Sequence, residues 1–189
     1  MREFLRRAEE ILAEQPGPDT ILLRGFARKP EWPTMHDRFG LRAAAVADYP
    51  MYRGVARLVG MEVLDSTGEL DKNLAVVEKN LDHFDFFFVH CKQTDSAGED
   101  GDFEGKVRLI EEIDRQIPHL LVLNPDVVIV TGDHSTPARM KSHSWHPVPV
   151  LLWSSLCRPD RVLRFGEREC AEGGLGTRFA ATDLLPLAL

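Results

Sequence analysis

Two apolar runs constrain this chain most. FDFFFV, from Phe84 to Val89, and DVVIVTG, from Asp126 to Gly132, are short, nearly continuous and bounded by polar residues. A continuous apolar run of strand length needs cover on both faces, the pattern of parallel sheets. Between the two runs, Val107, Ile110, Ile113, Ile117 and Leu120 fall at helical spacing. They predict a helix over about 104–121, with Pro118 kinking or shortening its end. The unit is therefore strand, helix, strand.

The rest of the chain repeats this alternation. Phe4, Leu5, Ala8, Ile11 and Leu12 predict a helix over 3–14, broken by QPGPD. TILLRG reads as a short buried strand ending at Arg24 and Gly25. LRAAAVA (41–47), MEVL (61–64) and VPVLLWS (148–154) read as further strands. YRGVARLVG fits a helix stopped by Gly60, and Asp71 is placed to cap another whose face is Leu74, Val77 and Leu81. HCKQTDSAGEDGDFEG reads as a polar, Gly-rich loop, and a last helix is expected near Thr182. Strands alternating with helices predict an α/β fold with a largely parallel sheet. The polar stretch 65–73 is the best candidate boundary, dividing the chain into 1–70 and 74–189.

Composition narrows the function. With 189 residues and 43% hydrophobic residues, the chain can build one compact core and a smaller second lobe. Lys and Arg number 23 against 30 Asp and Glu, a formal charge of -7, which argues against a nucleic-acid partner. It does not argue against an anionic substrate, because local arginines and metal ions override the global sign. Cys91, Cys157 and Cys170 form no CxxC pair, so a reducing, cytoplasmic setting is expected rather than a disulfide framework. The opening MREFLRRAEE is charged and amphipathic, unlike a signal peptide, and no apolar run reaches the roughly 18 residues of a membrane span.

The chemistry-bearing residues follow the two constraining strands. In parallel α/β sheets functional groups collect at strand carboxyl ends. Asp95 and Glu99 follow the first run; Asp133 and His134 follow the second, with His143 and His146 close behind. Carboxylates and imidazoles together suit Zn²⁺, Mn²⁺ or a related divalent ion. An adjacent Asp-His pair does not easily chelate one ion through both side chains, but it can serve two ions a few ångströms apart, an arrangement suited to phosphoryl transfer. Each residue also has an ordinary reading. Asp133 could cap a turn, the histidines could sit on a loop surface, and Asp95 could belong to a solvated acidic loop. EF-hand spacing does not fit.

FFFVHCKQTDSAGEDGDFEGKVRLIEEID followed by VVIVTGDHSTPARMKSHSWHPVPVLL resembles the archaeal-type cofactor-independent (2,3-bisphosphoglycerate-independent) phosphoglycerate mutases of the alkaline phosphatase superfamily. ILLRGFARKPEWPTMHDRFGLRAAAVADYPMYRGVARLVGMEV and FGERECAEGGLGTRFAATDLLPLAL are similar to the same family, so the resemblance covers nearly the whole chain. It implies an alkaline-phosphatase-like α/β fold with a mixed, largely parallel sheet flanked by helices. Residues 1–70 would be part of an inserted substrate lobe and 74–189 part of the metalloenzyme domain. It implies interconversion of 3-phosphoglycerate and 2-phosphoglycerate, in glycolysis, with up to two divalent ions (Mn²⁺, Zn²⁺ or Mg²⁺) and no organic cofactor.

By the same resemblance, Asp133 and His134 match ligands of the ion nearer the nucleophile. Asp95 and His143 match ligands of the second ion, and Arg24 matches a residue holding the anionic substrate. Glu99 stands where the family pattern has His, and a carboxylate there favours harder ions. His146 is left out of the ligand set. The family's Ser nucleophile comes from an N-terminal strand that no segment here resembles, so the chain is expected to match the C-terminal half and the catalytic nucleophile is unassigned. Two rival expectations stay open: a metal-dependent phosphatase, and a non-catalytic metal-binding remnant. Either a homo-oligomer or a separate N-terminal half is the expected partner.

Overall fold

The computed structural model describes residues 1–23 and 25–189. It divides into two units, Met1–Trp32 and Pro33–Leu189. The first carries α1 (Arg2–Leu12), held by exposed ion pairs of Glu3 with Arg6 and Arg7 and of Arg6 with Glu10. These are the i,i+3 and i,i+4 spacings at which helix side chains meet. The strand expected at TILLRG does not form: residues 20–23 carry no strand, and Leu22 is 81% exposed. A strand-like composition has no value without a neighbour to pair with. Arg24 lies outside the described residues.

In the second unit the chain runs α2 (Met35–Phe39), β1 (Ala43–Val46), α3 (Pro50–Leu58), β2 (Glu62–Leu64), α4 (Leu70–Lys79) and β3 (Phe86–Val89). It continues through α5 (Gln93–Asp100), α6 (Phe103–Val122), β4 (Val127–Val130), β5 (Leu151–Ser154), α7 (Glu167–Ala171) and, after a 3-10 turn, α8 (Leu184–Ala188). The fold is mixed α/β, with a parallel sheet flanked by helices. β1 is central, paired in parallel with β2 on one side and β3 on the other. Its small residues explain that place. Ala43 to Ala47 are all buried, and Ala43 and Ala45 pack against Ala56 of α3 and Met61, with Phe86 and Phe88 partly buried beside them. α4, with Leu74 and Val77 buried, also packs on β1. β1 and β2 precede the polar stretch 65–73 and β3 follows it, yet the three share one sheet.

Four local expectations change. The capping residue of α4 is Glu69, without a side-chain hydrogen bond; Asp71 sits in the first turn, where its charge still suits the helix dipole. α6 runs on through Pro118 to Val122, since one proline removes one backbone donor and later turns can continue. The polar stretch after β3 is not a loop. It folds as α5, closed by Gly101 in the left-handed region, with Asp102 N–H donating to Ala97 O at 2.9 Å and Gly101 N–H to Gly98 O at 3.1 Å. Finally, β5 does not extend the parallel sheet. It pairs antiparallel with β4 in a sheet of its own, because the intervening segment folds back through a bridge between Ser135 and Ser144. Among the described residues no helix is long and apolar enough to cross a membrane, and Cys91, Cys157 and Cys170 form no disulfide.

Candidate metal centre

The carboxyl ends of β1, β3 and β4 supply the site. β1 leads into α3 with Tyr52, β3 into α5 with Asp95, and β4 into the loop with Asp133 and His134. α5 has poor helix formers, and its position is set by a close approach. A Cβ on Gly98 would lie 2.3 Å from the backbone oxygen of Thr136, so only glycine lets α5 come this near the β4 loop. Lys106, in the first turns of α6, donates from Nζ to the same Thr136 oxygen at 2.6 Å. Asp102 caps α6 by accepting from Gly105 N–H at 2.8 Å.

These contacts bring Asp95 beneath the loop. Asp95 Oδ1 lies 3.8 Å from His134 Nδ1 and 3.7 Å from His143 Nε2. One ligand atom from each of the three residues falls within 4.8 Å of the others. Two donors bound to one tetrahedral ion at about 2.1 Å sit roughly 3.4 Å apart. The oxygen and two nitrogens therefore fit a single divalent ion after small side-chain adjustments. His134 and His143 stack with ring centroids 3.8 Å apart, held together by the Ser135–Ser144 bridge, in which Ser144 N–H donates to Ser135 O at 2.9 Å. Glu99 Oε1 is 3.4 Å from His143 Nε2, one helical turn beyond Asp95. Asp133 Oδ2 is 3.5 Å from His134 Nε2. The ring of His134 thus lies between two carboxylates, one facing each nitrogen. His146 stands apart, exposed, with Nδ1 at 2.8 Å from Ser144 Oγ.

The two oxygens of Asp95 have different partners. Oδ1 accepts from Thr136 Oγ1 at 2.5 Å, and Oδ2 is paired with Lys92 Nζ. Burial pushes the Asp95 carboxyl up, but the Lys92 and Thr136 hydrogen bonds outweigh it and hold it below its ordinary value. Asp133 behaves alike: burial raises it, while the Tyr52 phenol and backbone N–H groups bring it lower. Both acids are therefore ligand-competent anions at neutral pH. Burial, and then the bond to Asp133, push the Tyr52 phenol well above its usual range.

Motif reading misses Lys92, Thr136 and Tyr52. Lys92 and Thr136 carry a weak signal, standing three residues before Asp95 and two after His134. Tyr52 is 81 residues from Asp133 and carries none.

Comparison with known proteins gives the family. The metalloenzyme superfamily pattern matches residues 14–189. The chain is 48% identical over 187 residues to a probable 2,3-bisphosphoglycerate-independent phosphoglycerate mutase of Thermotoga neapolitana, covering 99% of this chain and 46% of that one. It is 51% identical over 186 residues to the protein of the same description in Thermosipho africanus, covering 98% and 46%. Among solved structures, the PH0037 protein of Pyrococcus horikoshii superimposes with a TM-score of 0.88 at 34% identity, over 99% of this chain and 55% of that one. The cofactor-independent phosphoglycerate mutase of Thermoplasma acidophilum gives 0.65 at 25% identity, over 82% and 37%. The chain spans about half the length of the curated relatives it matches.

Proposed function

From its membership of the metalloenzyme superfamily, we propose that this chain supplies the metal-holding part of a phosphoglycerate mutase centre, acting in the interconversion of 3-phosphoglycerate and 2-phosphoglycerate. The observation that carries this reading is the convergence of Asp95, His134 and His143, from two separate elements, with Asp133 and Glu99 at its two ends. A divalent ion held there would supply Lewis acidity toward a phosphoryl oxygen. The chain's own residues do the rest. Asp95 and Asp133 offer anionic oxygens, His134 and His143 offer ring nitrogens, and Lys92 brings one positive charge beside them. With three carboxylates in the set, including Glu99, manganese or magnesium is favoured over softer ions.

Arg24 is proposed as the substrate-holding guanidinium, since a planar fork matches carboxylate and phosphate. Residues 1–70 take the substrate role and 74–189 the metal role; all five acidic and histidine candidates fall in the second span. The proposed setting is glycolytic, as the mutase reading entails, and cytoplasmic, a reducing setting that three free thiols suit. A second copy, or a polypeptide corresponding to the rest of the relatives' length, is the proposed partner.

The test is Mn²⁺ binding by the purified protein beside Asp95→Ala and His143→Ala variants. Phosphorus NMR of 3-phosphoglycerate is read in parallel with the Mn²⁺-loaded protein mixed with a polypeptide corresponding to the rest of the relatives' length. Wild-type binding lost in both variants, with 2-phosphoglycerate appearing, supports the reading. Inorganic phosphate appearing instead assigns the site to a phosphatase. Wild-type binding no better than that of the variants overturns the metal centre.

A further inference from the structure

We infer that Tyr52 is a positioning residue for Asp133: its phenol, carried on α3, fixes the orientation in which that carboxylate meets a divalent ion. The inference rests on the reading of Asp133 as part of the metal centre.

Asp133 needs such a partner. Its side chain is 54% exposed on the loop after β4, so packing does little to choose its rotamer. Hydrogen-bond donors choose it instead. The backbone N–H of His134 donates to Oδ1 at 3.1 Å, and the Tyr52 hydroxyl donates to Oδ2. The first donor belongs to the same loop and moves with it. Among the described residues, only the second ties the carboxylate to another part of the fold. A phenol is neutral and a donor at physiological pH, and each carboxylate oxygen has a second lone pair, so both bonds leave Asp133 able to take an ion.

Tyr52 is itself well held. Its ring lies 4.0 Å from the His90 ring, 5.9 Å from Tyr49 and 6.1 Å from Phe88. His90 is anchored by its backbone N–H donating to Val46 O at 3.0 Å, at the carboxyl ends of β3 and β1. The chain of contacts therefore runs from the three-stranded parallel sheet, through His90 and Tyr52, to a carboxylate borne by the two-stranded sheet. Among the described residues no hydrogen bond of the strand ladders joins those sheets. A partner of this kind, holding a ligand from outside, typically costs tenfold to a hundredfold in metal affinity when removed.

Tyr52→Phe keeps the ring stack and deletes only the hydroxyl. Mn²⁺ affinity is read from the spin resonance signal of the free ion, for wild type, Tyr52→Phe, Asp133→Asn and the double variant, with thermal melts alongside. The expected result is a loss of about tenfold in Tyr52→Phe at an unchanged melting midpoint. Most of that loss should vanish when the hydroxyl is removed from the Asp133→Asn background, because the residue acts through Asp133. Wild-type affinity in Tyr52→Phe, or an undiminished loss in the Asp133→Asn background, overturns the inference and leaves the metal centre standing. No Mn²⁺ binding by wild type overturns both.

Discussion

Replacing Gly98 with alanine should destabilise the protein and weaken its metal site together. In an ordinary helix this change is favourable by about 1 kcal/mol, because alanine loses less backbone entropy. Gly98 has no positive φ to defend, so conformation offers no objection. The objection is steric. The new methyl carbon would stand 2.3 Å from Thr136 O and 3.0 Å from Thr136 Cγ2, where real Cβ atoms essentially never come within 3.0 Å. α5 or the loop must move by about 0.7 Å, and a close-packed interior transmits such strain. Overpacking costs about 1–3 kcal/mol, and the Lys106 bond to the same Thr136 oxygen is weakened with it. The net expectation is a loss of about 1–3 kcal/mol, a melting midpoint lower by roughly 2–12 °C in a chain of this size. Because Thr136 Oγ1 also holds Asp95 Oδ1, Mn²⁺ affinity should fall as well. Calorimetry and a metal titration check both arms. A midpoint that rises by a few degrees would refute the close-approach argument.

Two further outcomes follow from the core and from the mouth of the parallel sheet. Asp85 accepts from the backbone and guanidinium of Arg42, and those bonds hold its carboxyl down at about 2, below the unfolded value of about 3.9. A depressed acid stabilises the fold above its unfolded pKa and loses that contribution as pH falls from about 4 toward 2. The melting difference between wild type and Asp85→Asn should be full at pH 6 and shrink below pH 4; a difference constant with pH refutes it. Asn73 is fully buried, and its Oδ1 accepts from Ser66 Oγ at 3.1 Å and Thr67 N–H at 3.2 Å. Asn73→Ala leaves those donors unmet and should cost about 1–3 kcal/mol in urea denaturation, whereas a wild-type midpoint would refute the turn's dependence on it.

Where the sequence was legible, local composition agreed with the tertiary environment. β1, β2, β3 and β4 announce themselves as strand-length apolar runs, and α6 by its spacing. α5 was hidden because QTDSAGED contains few good helix formers; packing of Gly98 under Thr136 and the left-handed close at Gly101 decide its state. TILLRG failed in the opposite sense, a favourable composition with no strand beside residues 20–23. The sheet order was hidden because the fold-back between Ser135 and Ser144 is a matter of one bridge. In the site, Asp95, Asp133, His134 and His143 are visible as motif residues. Lys92 and Thr136 are only faintly so, standing close to Asp95 and His134 in sequence, and Tyr52 is not, because what places it is the meeting of the β1 and β4 ends, 81 residues apart in sequence.

The Ser135–Ser144 bridge has a consequence for the order of events. It closes the loop between the two histidines with backbone alone and stacks their rings at 3.8 Å. The chain thus meets the entropy of closure during folding rather than at loading. Because that closure uses backbone atoms and no ligand atom, a chelator should remove an ion without unravelling the loop.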